Sequence, residues 1–275
     1  MNRIPQDEIV IEPGVGLRNY WRDLWNYRQL FYFLAWRDIA VRYKQTVIGV
    51  AWSLIRPVLT MVVFTVIFGR WADLPSDGVP YPVMVFSAML PWQFFSGALG
   101  DSSNSLIANT NLITKVYFPR LAIPMASVMV SLVDFLISMV ILVVLMLVFR
   151  VAFTWRLLLL PLLTALTFAV SLGGGLWMAS LNVKYRDFRY VVPFMLQLGL
   201  YISPVGFSTS IVPPALMPLY ALNPMVGIID GFRWAITGST FAGWTLLVSA
   251  VITLFLLIGG LWYFRKTERG FADVI

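Results

Sequence analysis

Of the 275 residues, 59% are hydrophobic and 12% charged, about half the charged fraction that a soluble domain of this length uses to cover its surface, so lipid is the main solvent. Cysteine and histidine are both absent, which excludes disulfides, thiolate nucleophiles, the usual zinc sites and the one side chain that titrates unperturbed near neutrality. The net charge of +7 is that of a membrane protein with its positive residues on one side and needs no nucleic acid partner.

In chain order, residues 1–13 are polar and acidic, without the basic-then-apolar pattern of a cleavable signal. Residues 27–46 read as a helix with Tyr32, Trp36, Ile39 and Tyr43 on one face and Arg37, Asp38, Val41, Lys44 and Gln45 on the other. This is the pattern of a helix lying in the membrane interface with its aromatics at headgroup level, and equally that of a partly buried helix packed before a span.

A spanning helix needs about 20 mostly apolar residues, and six stretches meet or approach that: 49–69, 82–100, 124–149, 157–180, 190–207 and 243–264. The fifth is short and carries Pro193, Gly199, Pro204 and Gly206, so it is expected to face protein or a cavity where freed backbone groups find partners. With the N-terminus inside, 16 of the 20 Lys and Arg residues fall on the cytoplasmic side, which predicts cytoplasmic termini. The expected fold is an all-α integral membrane protein. Its parts are a tail and interface helix (1–46), a six-span domain (47–264) and a C-terminal tail (265–275).

Three further segments stand out. Between spans two and three, 101–123 is polar at first and then forms a brief segment whose Asn109 or Thr110 starts a helix that Pro119 limits. As a helix over 109–117 it would display Leu112, Ile113, Val116 and Phe118 beside Lys115 as a knob for a groove on another protein; as a plain loop it would not. Between spans five and six, 208–242 holds apolar pieces too short to cross, expected as short helices that start near prolines and dip into the bilayer. Within span three lies Asp134, about 15 Å from the cytoplasmic end at a rise of about 1.5 Å per residue. A carboxylate there costs roughly 2.5–3.5 kcal/mol and should face the bundle interior, either lining a pathway or hydrogen-bonded to a Ser or Thr of a neighbouring helix.

No phosphate-cradling loop is present: Gly173-Gly174-Gly175 lacks the Lys and Ser/Thr of a P-loop and reads as a close helix–helix approach. Paired carboxylates for acid/base work are also missing. The chain alone therefore has no means of hydrolysing a nucleotide, and an enzyme such as a membrane glycosyltransferase is disfavoured.

The runs VRYKQTVIGVAWSLIRPVLTMVVFTVIFG (41–69), PYPVMVFSAMLPWQFFSGALGDSSNSLIANTNLITKVYFPRLAIP (80–124), YRDFRYVVPFMLQLGLYISPVGF (185–207) and NPMVGIIDGFR (223–233) resemble the membrane subunit of ABC-2 type polysaccharide exporters. The block from Lys115 to Arg120 is the most specific. The resemblance implies a homodimer paired with two copies of a cytoplasmic ATPase, which binds the ATP and magnesium; no cofactor is expected in this chain. It places an interface helix on Tyr32, Trp36, Arg37 and Tyr43, and an ATPase-coupling helix on Asn109, Leu112, Ile113, Lys115, Val116, Phe118 and Arg120. The substrate it implies is a glycan on a lipid such as undecaprenyl diphosphate, moved across the bacterial inner membrane for O-antigen, capsule or teichoic acid export. Trp52, Phe64, Trp92, Phe95 and Tyr201 lie in spans that the family places around the channel, where aromatic faces stack on sugar; packed or interfacial aromatics are the alternative. Arg56 fits a lipid headgroup or a snorkelling anchor. Export of a drug or small lipid is the competing function.

Overall fold

The computed structural model describes residues 22, 24–44 and 49–271, and all of their side chains except those of 49–53 and 269. Ten α-helices are considered: α1 (Arg28–Lys44), α2 (Gly49–Phe64), α3 (Tyr81–Ala108), α4 (Thr110–Lys115), α5 (Ala122–Val148), α6 (Leu160–Lys184), α7 (Phe188–Ile202), α8 (Met217–Tyr220), α9 (Pro224–Thr237) and α10 (Gly243–Thr267). A wider helical stretch, Thr65–Trp71, prolongs α2, and the tighter Trp155–Leu159 leads into α6.

Among the described residues, five helices are long and apolar enough to cross a membrane: Leu54–Trp71, Tyr81–Ala108, Ala122–Val148, Trp155–Lys184 and Gly243–Thr267. The fifth expected span, 190–207, is represented by α7, whose 15 residues reach only about 22 Å against a hydrocarbon thickness of about 30 Å. Pro204 and its neighbours end the helix early, and 203–207 continue as turns.

α3 is the hub, packed along α5 and α6, with α6 in turn against α10. Its buried Ser102, Ser103 and Ser105 keep neighbouring backbones close, and the hydroxyls of Ser103 and Ser105 donate back to the carbonyls of Gly100 (2.8 Å) and Ser102 (2.7 Å). Asn182 Nδ2 crosses from α6 to the Ser103 carbonyl at 2.9 Å and to Asn104 Oδ1 at 3.1 Å, tying the two helices inside the bundle. The glycine run acts as a helix contact, as its composition implied. A Cβ on Gly173 would lie 2.7 Å from the Leu257 backbone nitrogen, and one on Gly260 2.5 Å from the Gly173 carbonyl oxygen. The stacked rings of Trp177 and Tyr263, 4.7 Å apart, fix the same pair of helices with their C-terminal ends together.

The segment after α7 forms short helices that begin at prolines, as expected. Pro218 stands in the first turn of α8, and Pro224 opens α9, where the Asn223 side chain accepts from the Met225 N–H at 3.0 Å. Gly238, with φ of 74°, closes α9. Its residues from Met225 to Phe232 are buried against α3, α6 and α10, so this helix is held by protein.

α1 lies against α5, turning Leu34 and Ala35 inward and leaving Tyr32, Phe33 and Trp36 exposed. The expected two faces are therefore partly exchanged: Tyr32 and Trp36 face outward, whereas Tyr43 and the polar pair Arg37 and Asp38 turn toward the bundle. Hydrogen bonds to the bundle, not aromatic periodicity, set the rotation of the helix. Gln45 lies outside the described residues.

Candidate functional site: a cavity beneath the interface helix

A cavity of about 910 Å³ opens between α1, α2, α3, α5 and α7. Trp92, Gln93 and Ser96 come from α3, Pro193 and Gln197 from α7, and Arg56 and Thr60 from α2. Arg42 and Tyr43 close it from α1, opposite Asp134 and Ser138 of α5. The wall is mostly apolar, with Met89, Leu90, Phe94, Phe135, Leu196 and Leu200, and carries two amides, hydroxyls, the Asp134 carboxylate and two guanidinium groups, a chemistry that fits an amphipathic ligand with a polar or anionic part.

The charges form a defined cluster. Arg42 Nη1 lies 3.1 Å from Asp101 Oδ2 and 3.2 Å from Asp134 Oδ2, and the Tyr43 hydroxyl donates to Asp134 Oδ1. The Ser131 hydroxyl reaches Asp101 at 3.5 Å. Asp134 faces the interior and lines the cavity, the first of its two expected settings; the second is corrected, since its partners are Arg42 and Tyr43 of α1 and not a Ser or Thr of a neighbouring span. One turn earlier on α1, Arg37 Nη2 donates to Asn109 Oδ1 at 2.8 Å, directly before α4. α1 is thus tied at one point to the short α4 segment and at another to the cavity wall.

The expected coupling segment is helical over Thr110–Lys115, with Asn109 at its start. Its exposed side differs from the expected knob. Ile113 and Phe118 are each 4% exposed and Leu112 is half-buried, because this turn folds its apolar residues back onto the hub helices. Lys115 is exposed, with Val116 at 51% and Tyr117 at 62%, and these face outward beside Asn111 and Thr114. Arg120 is turned away from that side, its Nη1 donating to the Glu268 carbonyl.

Of the aromatics assigned to the path, Trp92 is buried in the cavity wall, with Phe95 beside it at a ring separation of 5.6 Å. Phe64 is corrected to a packed core aromatic, edge-on to Phe68 at 5.4 Å. Tyr201 is exposed on α7, and the Trp52 side chain lies outside the described residues. Arg56 is on the cavity. Sequence reading missed Arg42, Asp101, Gln93 and Gln197. The two glutamines stand out as polar residues inside apolar helices, a usable signal; Arg42 carries none, because its role depends on how α1 docks.

A second buried polar site occupies the other end of the bundle. Arg233 Nη2 donates to the carbonyls of Pro204 (2.5 Å) and Val205 (3.2 Å), with Asp230 3.9 Å from its Nη1. Burial pushes the Asp230 carboxyl up to about 6, with Arg233 pulling in the opposite direction. Nearby, Asp77 accepts from the hydroxyls of Ser208 and Ser210. Among the described residues no group of three or more His, Cys, Asp or Glu is placed to hold a metal ion.

Residues 29–237 match the ABC-2 type transporter family, and the chain belongs to it. It is similar to the O-antigen export system permease protein RfbA of Myxococcus xanthus, 27% identical over 215 residues, covering 77% of this chain and 82% of that protein. It is also similar to the protein of the same name from Klebsiella pneumoniae, 26% identical over 245 residues, covering 87% of this chain and 92% of the relative. The polysialic acid transport protein KpsM of Escherichia coli is 25% identical over 246 residues, covering 85% and 91%. The five long apolar helices and the family membership make this a multi-pass membrane transport subunit.

Proposed function

We propose that the chain is the permease subunit of an ABC exporter. It would move a lipid-linked polysaccharide, an undecaprenyl diphosphate-linked O-antigen or related surface glycan, from cytoplasm to periplasm. In this reading two copies pair with two copies of a separate ATPase, which binds and hydrolyses ATP with magnesium. The inner membrane holds six spans, α7 being the short fifth, with both termini cytoplasmic and α8 and α9 forming a re-entrant periplasmic element.

The observation that carries the reading is the mixed cavity, in which Gln93 and Gln197 would meet hydroxyls and Arg42 and Arg56 an anionic carrier headgroup, with Trp92 packed into its wall. Weak, repeated contacts of this kind let a polymer slide without fixing its register. The names of the relatives support a glycan over a drug or small lipid, and the polysialic acid relative keeps capsule export as a variant. The exposed Asn111, Thr114, Lys115, Val116 and Tyr117 would meet the ATPase, with Asn109, Leu112, Ile113, Phe118 and Arg120 shaping the segment from behind.

Deleting the gene should remove the surface glycan and leave its lipid-linked precursor inside the cell, and the purified chain should bring down an ATPase. Intact surface glycan in the deletion strain would overturn the assignment.

A further inference from the structure

Arg42 is neither a free cation nor a simple ion-pair partner. Its single Nη1 stands 3.1 Å from Asp101 and 3.2 Å from Asp134, two carboxylates on different helices, at the edge of a cavity that Arg56 also lines. Arg56 makes no ion pair with any described residue. We propose that Arg42 and Arg56 form a phosphate-binding site for a lipid-borne phosphate or diphosphate, and that Asp101 and Asp134 compete with the ligand for Arg42. This rests on the exporter reading above and adds how the same cavity takes hold of its ligand and lets it go.

The physical case is one of exchange. Two arginines in a partly desolvated site would hold a diphosphate too tightly for a carrier that must release it, because charge-assisted contacts strengthen as water is excluded. With the carboxylates present, binding replaces Arg42–carboxylate contacts by Arg42–phosphate contacts, so the net gain is a difference between two similar terms. The side chains of Arg42 and Asp101 are 42% and 45% exposed, which leaves the pair open to exchange. Tyr43 gives Asp134 a hydrogen bond that persists when Arg42 leaves, so the released carboxylate keeps a partner.

The test is equilibrium binding of undecaprenyl diphosphate to the full-length chain in phosphatidylcholine nanodiscs. Arg42→Gln and Arg56→Gln should each weaken binding about tenfold, whereas Asp134→Asn and Asp101→Asn should each tighten it about tenfold. In an Arg42→Gln background the tightening by Asp134→Asn should shrink. Tightening of undiminished size there would mean plain charge repulsion and would overturn the exchange. Weaker binding by both carboxamide variants, or equal binding of uncharged undecaprenol, would also overturn it. Asp101→Asn keeps the test decisive if Asp134→Asn fails to fold. Nanodiscs of phosphatidylglycerol identify the source. Displacement of the undecaprenyl ligand with the same variant pattern assigns the site to bilayer headgroups; its absence assigns it to the carrier. Binding with this pattern in a protein whose deletion leaves surface glycan intact would keep the site and discard the glycan, and lost glycan without the pattern would do the reverse.

Discussion

Arg233 reaches the carbonyls of Pro204 and Val205, which lie beyond the last turn of α7 where no helical N–H serves them. Its charge is balanced by Asp230, one helical turn away on α9 and also buried. Removing one member of such a pair leaves the other uncompensated, so Arg233→Gln should cost about 3–5 kcal/mol. The measurement is thermal unfolding of the purified chain in nanodiscs, with Asp230→Asn/Arg233→Gln expected to recover part of the loss; an unchanged midpoint for the single variant would contradict the role. At this scale the sequence was least informative. Asp134 was legible as an inward-facing carboxylate from its depth in an apolar run. Its partners were not, because Arg42 sits 92 positions away on a helix whose rotation is set only by docking.

The short α4 and its flank show why an element can be legible while its faces are not. Asn109 and Thr110 marked its start, but the helix ends at Lys115, short of Pro119, and six residues are too few for periodicity to fix a face. Its apolar residues could equally have served a partner or the bundle. Burial of Ile113 and Phe118 separates two kinds of variant. Ile113→Asp and Phe118→Asp place a charge in the core and should lower the yield of folded protein. Tyr117→Asp and Val116→Asp change an exposed surface and should leave folding intact while weakening ATPase association roughly tenfold or more. Copurification scored against the folded fraction checks both; equal loss of fold in all four would remove the distinction. Close helix contact is a second element-level property, readable in part from Gly173-Gly174-Gly175. Gly227 gave no such signal, yet a Cβ there would lie 2.4 Å from the Thr245 carbonyl oxygen. Gly227→Ala should push α9 off α10 and cost about 1–3 kcal/mol, read as a lower unfolding midpoint.

For the whole molecule, the open question is whether the short α7 carries the chain across the membrane. The structure constrains the answer through the helices on either side of it. α6 and α10 run parallel, with Trp177 stacked on Tyr263 and Gly173 against Leu257, so Lys184 and Thr267 lie at one end of the bundle. Arg120, bonded to the Glu268 carbonyl, and Asn109, bonded to Arg37, bring the α4 segment and the interface helix to that same end. The chain leaves that end after α6 and must begin α10 at the other, so α7 and the turns after it make the return journey despite the helix's length of about 22 Å. Because the chain contains no cysteine, single substitutions report topology without background. Lys115→Cys and Arg186→Cys should be labelled only from the cytoplasmic face by a membrane-impermeant maleimide, and Thr154→Cys and Thr240→Cys only from the opposite face. These faces are the ones expected from the positive-inside asymmetry of the Lys and Arg residues. Labelling of Thr240→Cys from the same side as Arg186→Cys would mean that α7 lies in the plane of the membrane, leaving five spans and the C-terminal helix reversed relative to α6, a geometry that the stacking of Trp177 on Tyr263 forbids.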